Sequence, residues 1–263
     1  MPLPSNQELA SFFNELCDAA AAVTLPMFRS KLGVVNKLDA GFDPVTEADR
    51  EAERTIRALI EARYPDHGII GEEFGTARPD AALQWIIDPI DGTRAFISGL
   101  PVWGTLIGLY EDGVPVAGAM DQPFTRERYV AVGGVASLTV DQAAREVLQT
   151  RSTQRLEDAT LMTTSPGLFV EDWEQAYFTV ENKAKLARYG CDCYAYCLLA
   201  GGQIDLVIES GLNIYDIAAL IPIIEAAGGM VTSWSGEDAA KGGSILAAAN
   251  RELHQQAIEL LKP

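Results

Sequence analysis

Histidine is nearly missing from this 263-residue chain: only His67 and His254 occur. A zinc centre of the usual nitrogen- and sulfur-rich kind therefore has few ligands to draw on. The four cysteines do not make up the shortage. Cys191, Cys193 and Cys197 are spaced C-x-C-x3-C, not the C-x2-C of structural zinc sites, and Cys17 stands apart. Reduced thiols in a cytoplasmic protein are the expectation. Basic residues are also scarce, with 20 Lys+Arg against 37 Asp+Glu, a net charge of −17. That balance argues against general binding to nucleic acid or an anionic membrane, both of them polyanions. No apolar run approaches the roughly 18 residues of a spanning helix. The first basic residue is Arg29, so no positively charged signal-peptide start is expected. There is no G-x-x-x-x-G-K-[ST] phosphate loop, and no cysteine has an arginine six positions on.

What is present is ordinary globular composition, 48% hydrophobic and 22% charged. At this length the chain makes one large domain or two intimately packed ones. No repeat, low-complexity tract or charge block marks a linker. Residues 6–29 carry Leu9, Phe12, Phe13, Leu16, Ala20 and Val23 at helical spacing, and a second helix runs from Thr46 to before Pro65. Strand-like runs follow at Gly68–Gly71, Trp85–Asp88, Gly104–Tyr110, Val114–Met120 and Tyr129–Val132. Asp112-Gly113 and Gly133-Gly134 punctuate them as hairpins, so this half reads as antiparallel. Beyond it, strands at Leu161–Thr164, Ala184–Tyr189, Ile204–Ile208, Met230–Thr232 and Ser244–Ala248 alternate with helices at 167–179, 192–202, 214–227 and 251–261. The alternation suggests a layered α/β sandwich. The change of rhythm divides the chain into an α+β unit over 1–145 and an α/β unit over 146–263.

Three acidic segments stand out. Asp43-Pro44-Val45-Thr46-Glu47-Ala48-Asp49 has Thr46 and Asp49 at the spacing of a helix capping box, which by itself explains both residues. Gly71-Glu72-Glu73 ends an apolar strand, where acidic pairs are commonly just solvated. Trp85-Ile86-Ile87-Asp88-Pro89-Ile90-Asp91-Gly92-Thr93 reads as a turn after a buried strand. It also reads as two carboxylates leading into a helix whose free N–H groups, from Gly92 onward, cradle a phosphate. Oxygen ligands with so little histidine point to a hard cation such as Mg²⁺. The residues alone leave these alternatives open.

Taken together, Glu72-Glu73, Asp88-Pro-Ile-Asp91-Gly-Thr93 and Tyr215-Asp216-Ile-Ala-Ala resemble the three signatures of the inositol monophosphatase superfamily, in the same order and spacing, from about residue 10 to residue 260. The resemblance implies a layered αβαβα sandwich of the α/β (α+β) class and a Mg²⁺-dependent phosphomonoesterase using two or three ions. By resemblance, Glu72, Asp88, Asp91, Asp216 and the Ile90 carbonyl match metal ligands. Asp49 and Thr93 match the residues that orient and deprotonate the attacking water, and Gly92 and Thr93 offer N–H groups to the phosphate. Lys37 lies near the family's loop lysine, though with an insertion before Asp49. Tyr215 replaces the usual tryptophan. A homodimer is implied on the same ground.

Such a cluster of carboxylates repels by about 4 kcal/mol per close pair at an effective dielectric near 20, so it requires protons or cations. Two ions about 4 Å apart clamp a phosphoryl group. In-line attack by water, without a phosphoenzyme, is the expected mechanism. The D-x-D nucleophile of haloacid-dehalogenase-type phosphatases does not fit, because Asp88 and Asp91 are separated by two residues. A non-catalytic cation-binding protein of this fold is the remaining alternative.

Two stretches bear on the ester. Residues 91–105, DGTRAFISGLPVWGT, and 189–196, YGCDCYAY, resemble the histidinol-phosphatase branch. Histidinol phosphate carries an ammonium and an imidazole, for which Asp192 and Glu209 are candidate partners, together with Asp91 and Asp216 in the substrate site. Asp192 also has the position of a helix cap. The expectation is hydrolysis of L-histidinol phosphate to L-histidinol and phosphate in histidine biosynthesis, with inositol 1-phosphate or another small phosphate ester as the alternative.

Overall fold

Alternating burial along two sheets sets the architecture. The computed structural model describes residues 3–30, 34–36, 44–141, 143, 145–170 and 172–261. Lys37 and Asp43 lie outside the described residues. The chain runs through α1 (Asn6–Met27), β1 (Val34–Asn36), β2 (Pro44–Thr46) and α2 (Glu47–Arg63) into β3 (Gly68–Gly71), β4 (Gly75–Ala77), β5 (Leu83–Asp91) and a short α3 (Thr93–Ser98). Four long or medium strands follow, β6 (Gly104–Glu111), β7 (Val114–Gln122), β8 (Glu127–Val132) and β9 (Val135–Val140), then β10 (Glu146–Val147). The remainder comprises β11 (Thr160–Thr163), α4 (Asp172–Glu181), β12 (Leu186–Tyr189), α5 (Asp192–Ala200), β13 (Leu206–Leu212), α6 (Ile214–Ile217), α7 (Leu220–Ala226), β14 (Met230–Ser233), β15 (Gly243–Ala248) and α8 (Arg251–Leu261).

The first sheet has the order β10-β9-β8-β7-β6-β5-β3-β4 and the second β12-β11-β13-β15-β14. The expected antiparallel pairing holds from β5 to β10, while β3 joins β5 in parallel across α-free chain containing β4. In the second sheet β11 pairs parallel with both β12 and β13, and β15 runs antiparallel to β13 and β14.

Side chains two apart share a sheet face. Ile107 and Leu109 of β6 pack with Leu9, Phe13 and Leu16 of α1 and Ile56 and Ile60 of α2. Leu106, the residue before Ile107, faces the other way, onto Ile217, Leu220 and Ile223. Val207 of β13 joins that same inner layer, whereas Leu206 and Ile208 face Tyr177 of α4 and Leu253 of α8. The layers are therefore helix, sheet, helix, sheet, helix, the αβαβα sandwich expected from the sequence.

The expected single helix over 214–227 is broken into α6 and α7. The junction, Ala218-Ala219, lies directly on the first sheet. Gly108 and Gly118 are cross-strand partners there, and a Cβ on Gly108 would stand 2.9 Å from Ala218 while one on Gly118 would collide with the Ala219 carbonyl. This close approach carries Asp216 on α6 toward the end of β5. Strands β9, β10 and β4 were not read from the sequence; β10 and β4, of two and three residues, are too short to show a pattern.

Candidate active site

The strand that supplies two carboxylates is irregular where it supplies them. In a regular strand, residues three apart point to opposite faces. Asp88 pairs with Leu106 and Asp91 with Gly104, so β5 spends three residues where β6 spends two. This β-bulge restores Asp88 and Asp91 to one side. The segment is thus not a turn after a strand that ends at Asp88; β5 continues through it to Asp91. Asp88 Oδ1 accepts the Ile90 N–H at 3.0 Å, and Thr105 donates to the Pro89 carbonyl at 2.8 Å, which fixes the bulge.

Asp216 enters from α6, where it is part of a capping box with Asn213 and accepts the Asn213 N–H at 2.6 Å. Carboxylate oxygens of Asp88, Asp91 and Asp216 all lie within 4.8 Å of one another. Glu72 follows β3, its N–H donating to the Ile87 carbonyl at 3.1 Å. Burial, then the negative charges of Glu72, Asp91 and Asp216, hold the Asp88 carboxyl well above the usual carboxylate range. Asp91 is raised by burial and by Asp216 and Asp192, although it accepts the Cys193 N–H at 2.8 Å. The donor set is oxygen only, negative and mutually repelling, which fits a hard divalent cation such as Mg²⁺. Neither histidine joins it: His67 accepts the Trp85 indole N–H at 3.1 Å, and His254 bonds Thr232 at 2.7 Å.

Asp49 serves two ends at once. Its Oδ2 accepts the Thr46 N–H at 2.8 Å in the capping box of α2, while Oδ1 stands 3.4 Å from the Thr93 hydroxyl. That hydroxyl also lies 3.1 Å from the Ile90 carbonyl. Burial raises the Asp49 carboxyl, with the Thr46 bonds opposing. Gly92 precedes α3 with φ of 79°, a left-handed conformation suited to glycine, and no side chain caps the helix start. Glu72, Asp88, Ile90, Asp91, Gly92, Thr93 and Asp216 thus line one cavity of about 200 Å³.

A second cavity of about 160 Å³ adjoins it, sharing Asp91, Thr164, Asp192 and Asp216. Glu209, 2% exposed on β13, lines it. Its carboxylate accepts the Thr164 N–H at 2.5 Å and the Thr163 hydroxyl at 3.3 Å, and burial pushes its pKa up to about 7. Asp192 is not the N-cap of α5 but its first helical residue, after Cys191, and Asp91 accepts the Cys193 N–H. Asp192 has a φ of 43°, uncommon for a non-glycine residue, and its carboxyl stands against Gly92. Burial raises its pKa to about 6, with Arg94 opposing. Every site residue named from the sequence and lying among the described residues therefore reaches this cleft or its edge. The sequence reading missed Thr164 and Arg94, which line it; Thr164 had a signal, as the last residue of an expected strand.

Residues 5–263 match the sequence model of the inositol monophosphatase family. The chain belongs to that family. It is 44% identical to the bifunctional phosphatase IMPL2, chloroplastic, of Arabidopsis thaliana over 264 residues, 96% of this chain and 75% of that protein. It is 37% identical to a histidinol-phosphatase of Mycobacterium tuberculosis over 225 residues, 83% of this chain and 84% of that one. A solved inositol monophosphatase from Zymomonas mobilis superposes with a TM-score of 0.87 at 41% identity, covering 98% of this chain and 99% of that one. This family member is accordingly a phosphatase of the metal-dependent, phosphoric monoester hydrolase type, acting on a small phosphate ester. Among the described residues, no helix is long and apolar enough to cross a membrane.

Proposed function

We propose that the chain hydrolyses L-histidinol phosphate to L-histidinol and phosphate, a step of histidine biosynthesis, with Mg²⁺ as cofactor. Glu72, Asp88, Asp91, Asp216 and the Ile90 carbonyl would hold two or three ions. Bound there, Mg²⁺ supplies a Lewis acid for phosphoryl oxygens and lowers the pKa of a bound water. The chain's own residues do the rest. The Gly92 and Thr93 N–H groups receive the phosphate. The Thr93 hydroxyl, placed between Asp49 and Ile90, orients the water for in-line attack and passes its proton to Asp49, whose burial makes it the better base.

One observation carries the choice of ester: two acidic side chains, Asp192 and Glu209, face the adjoining cavity, and Asp192 is not consumed as a helix cap. A cationic alcohol gains charge-assisted hydrogen bonds from both, whereas a neutral polyol does not. Inositol 1-phosphate is the second reading, favoured by the 41% identity to the Zymomonas enzyme. Phosphate release from the two esters with Mg²⁺ decides between them. Faster turnover of inositol 1-phosphate contradicts the proposal. Asp192→Ala should impair the amine ester and spare a neutral one; equal loss on both removes Asp192 as the determinant.

The same proposal places the metal ligands chiefly in the 1–145 unit and the completion of the substrate site in the 146–263 unit. It also carries forward a homodimer, to be read by light scattering, and a cytoplasmic setting, with which four unpaired cysteines agree.

A further inference from the structure

The turn carrying Glu72 and Glu73 is gripped by one helix face. Asp49, Glu53 and Arg57 of α2 are four residues apart and so share that face. Asp49 reaches Thr93 as described. One helical turn on, Glu53 is fully buried, at 0% exposure, and lines neither cavity of the site. Its Oε2 accepts the Glu73 N–H at 2.7 Å and its Oε1 the Phe74 N–H at 3.2 Å. Arg57 Nε donates to Glu53 Oε1 at 2.6 Å, and the same guanidinium also donates to the Gly75 carbonyl. Arg50 adds an ion pair to the Glu73 carboxylate at 3.7 Å. Gly71 leaves the room this carboxylate needs, since a Cβ there would collide with Glu53.

A three-residue connection between β3 and β4 does not require a buried ion pair for its own sake, because taking two charges out of water is costly. What the pair does fix is the backbone on the C-terminal side of Glu72, while the Glu72 N–H is tied to Ile87 beside Asp88. We infer that Glu53, neutralised by Arg57, is a positioning residue that aims Glu72 at the Asp88, Asp91 and Asp216 cluster and thereby sets metal affinity. The inference rests on the reading of Glu72 as a metal ligand. Hydrogen-bonded partners behind metal ligands typically hold 10–100-fold in affinity. Glu53 also makes α2 a common mount, so that Asp49 and Glu72 are placed relative to one another by a single rigid element.

The test compares wild type and Glu53→Gln in two readouts: Mn²⁺ binding by electron paramagnetic resonance, without substrate, and the Mg²⁺ concentration giving half-maximal phosphate release. Glu53→Gln should weaken Mn²⁺ binding and raise the Mg²⁺ requirement by about tenfold or more, with turnover largely restored at saturating Mg²⁺. Arg151→Met, which breaks the ion pair to buried Asp205 at 3.1 Å just ahead of β13, should lower the melting temperature without moving either metal readout. Should Glu53→Gln fail to fold, Glu53→Asp keeps the charge but withdraws it by one methylene, and the same shifts are expected. A folded variant with wild-type Mn²⁺ affinity and Mg²⁺ requirement overturns the inference. A wild type that binds no Mn²⁺ overturns instead the reading of the site on which it stands.

Discussion

Asp49 shows how one side chain satisfies two readings of the same sequence. The Thr46–Asp49 spacing is a capping box, as the local pattern indicates, and the second carboxylate oxygen is still available to Thr93. Asp49→Asn should therefore lose activity by about 10²–10⁴-fold, the range for removal of a general base, and also lose about 1 kcal/mol of stability with the weakened cap. Thr93→Val separates the two effects: activity falls on a similar scale while urea unfolding stays near wild type. Asp88→Asn makes the opposite demand on stability. It removes one of several mutually repelling buried carboxylates, so metal-free protein should melt higher than wild type, and added Mg²⁺ should no longer raise its melting temperature. Asp192 was ambiguous in sequence between cap and ligand because both uses need an acid at the same position. Only the geometry separates them, since Asp91, a hundred residues earlier, has taken the cap.

Elements bring these residues together through departures from regularity. The carboxylate pair at Asp88 and Asp91 was legible as a pair, but its continuation as a bulged strand was not. Pro89 interrupts the local pattern, and the bulge exists only because β6 holds the other side of the ladder. The split between α6 and α7 had a local signal that the reading passed over: Pro222 has no N–H for the Ala218 carbonyl, so a continuous helix loses its bond at the junction. What the sequence hides is the seat of that junction, which a distant pair of glycines, Gly108 and Gly118, leaves room for on the sheet. Gly118→Val should push the Ala218-Ala219 junction off the sheet, cost about 1–3 kcal/mol by overpacking, and raise the Mg²⁺ requirement by displacing Asp216. Urea unfolding together with a Mg²⁺ titration checks both. A change in stability with an unaltered Mg²⁺ requirement would mean that the junction does not position Asp216.

Across the whole molecule, the layer order was readable from alternation and periodicity, because each sheet face is consistently buried against helices. The site was readable only as separate acidic stretches, and it was the family resemblance that joined them; their spatial convergence depends on contacts between segments up to 144 residues apart, from Glu72 to Asp216. The acidic interior also shapes pH dependence. Burial raises Glu209 from an unfolded value of 4.5 to about 7, so the folded chain binds more protons than the unfolded chain between those values. Its contribution is fully present below pH 4.5 and is lost as pH rises through about 7. Melting temperature should accordingly fall over that window, and Glu209→Gln should flatten the fall. An unchanged slope in the variant would assign the pH dependence elsewhere.

Calorimetric titration of EDTA-treated protein with Mg²⁺, run on wild type and on Asp88→Asn, goes directly to the convergence of acids from distant parts of the chain. Saturable binding to wild type that is abolished or weakened many-fold in the variant is the predicted result. Binding of equal strength to both proteins, or to neither, would contradict a metal centre built from these carboxylates.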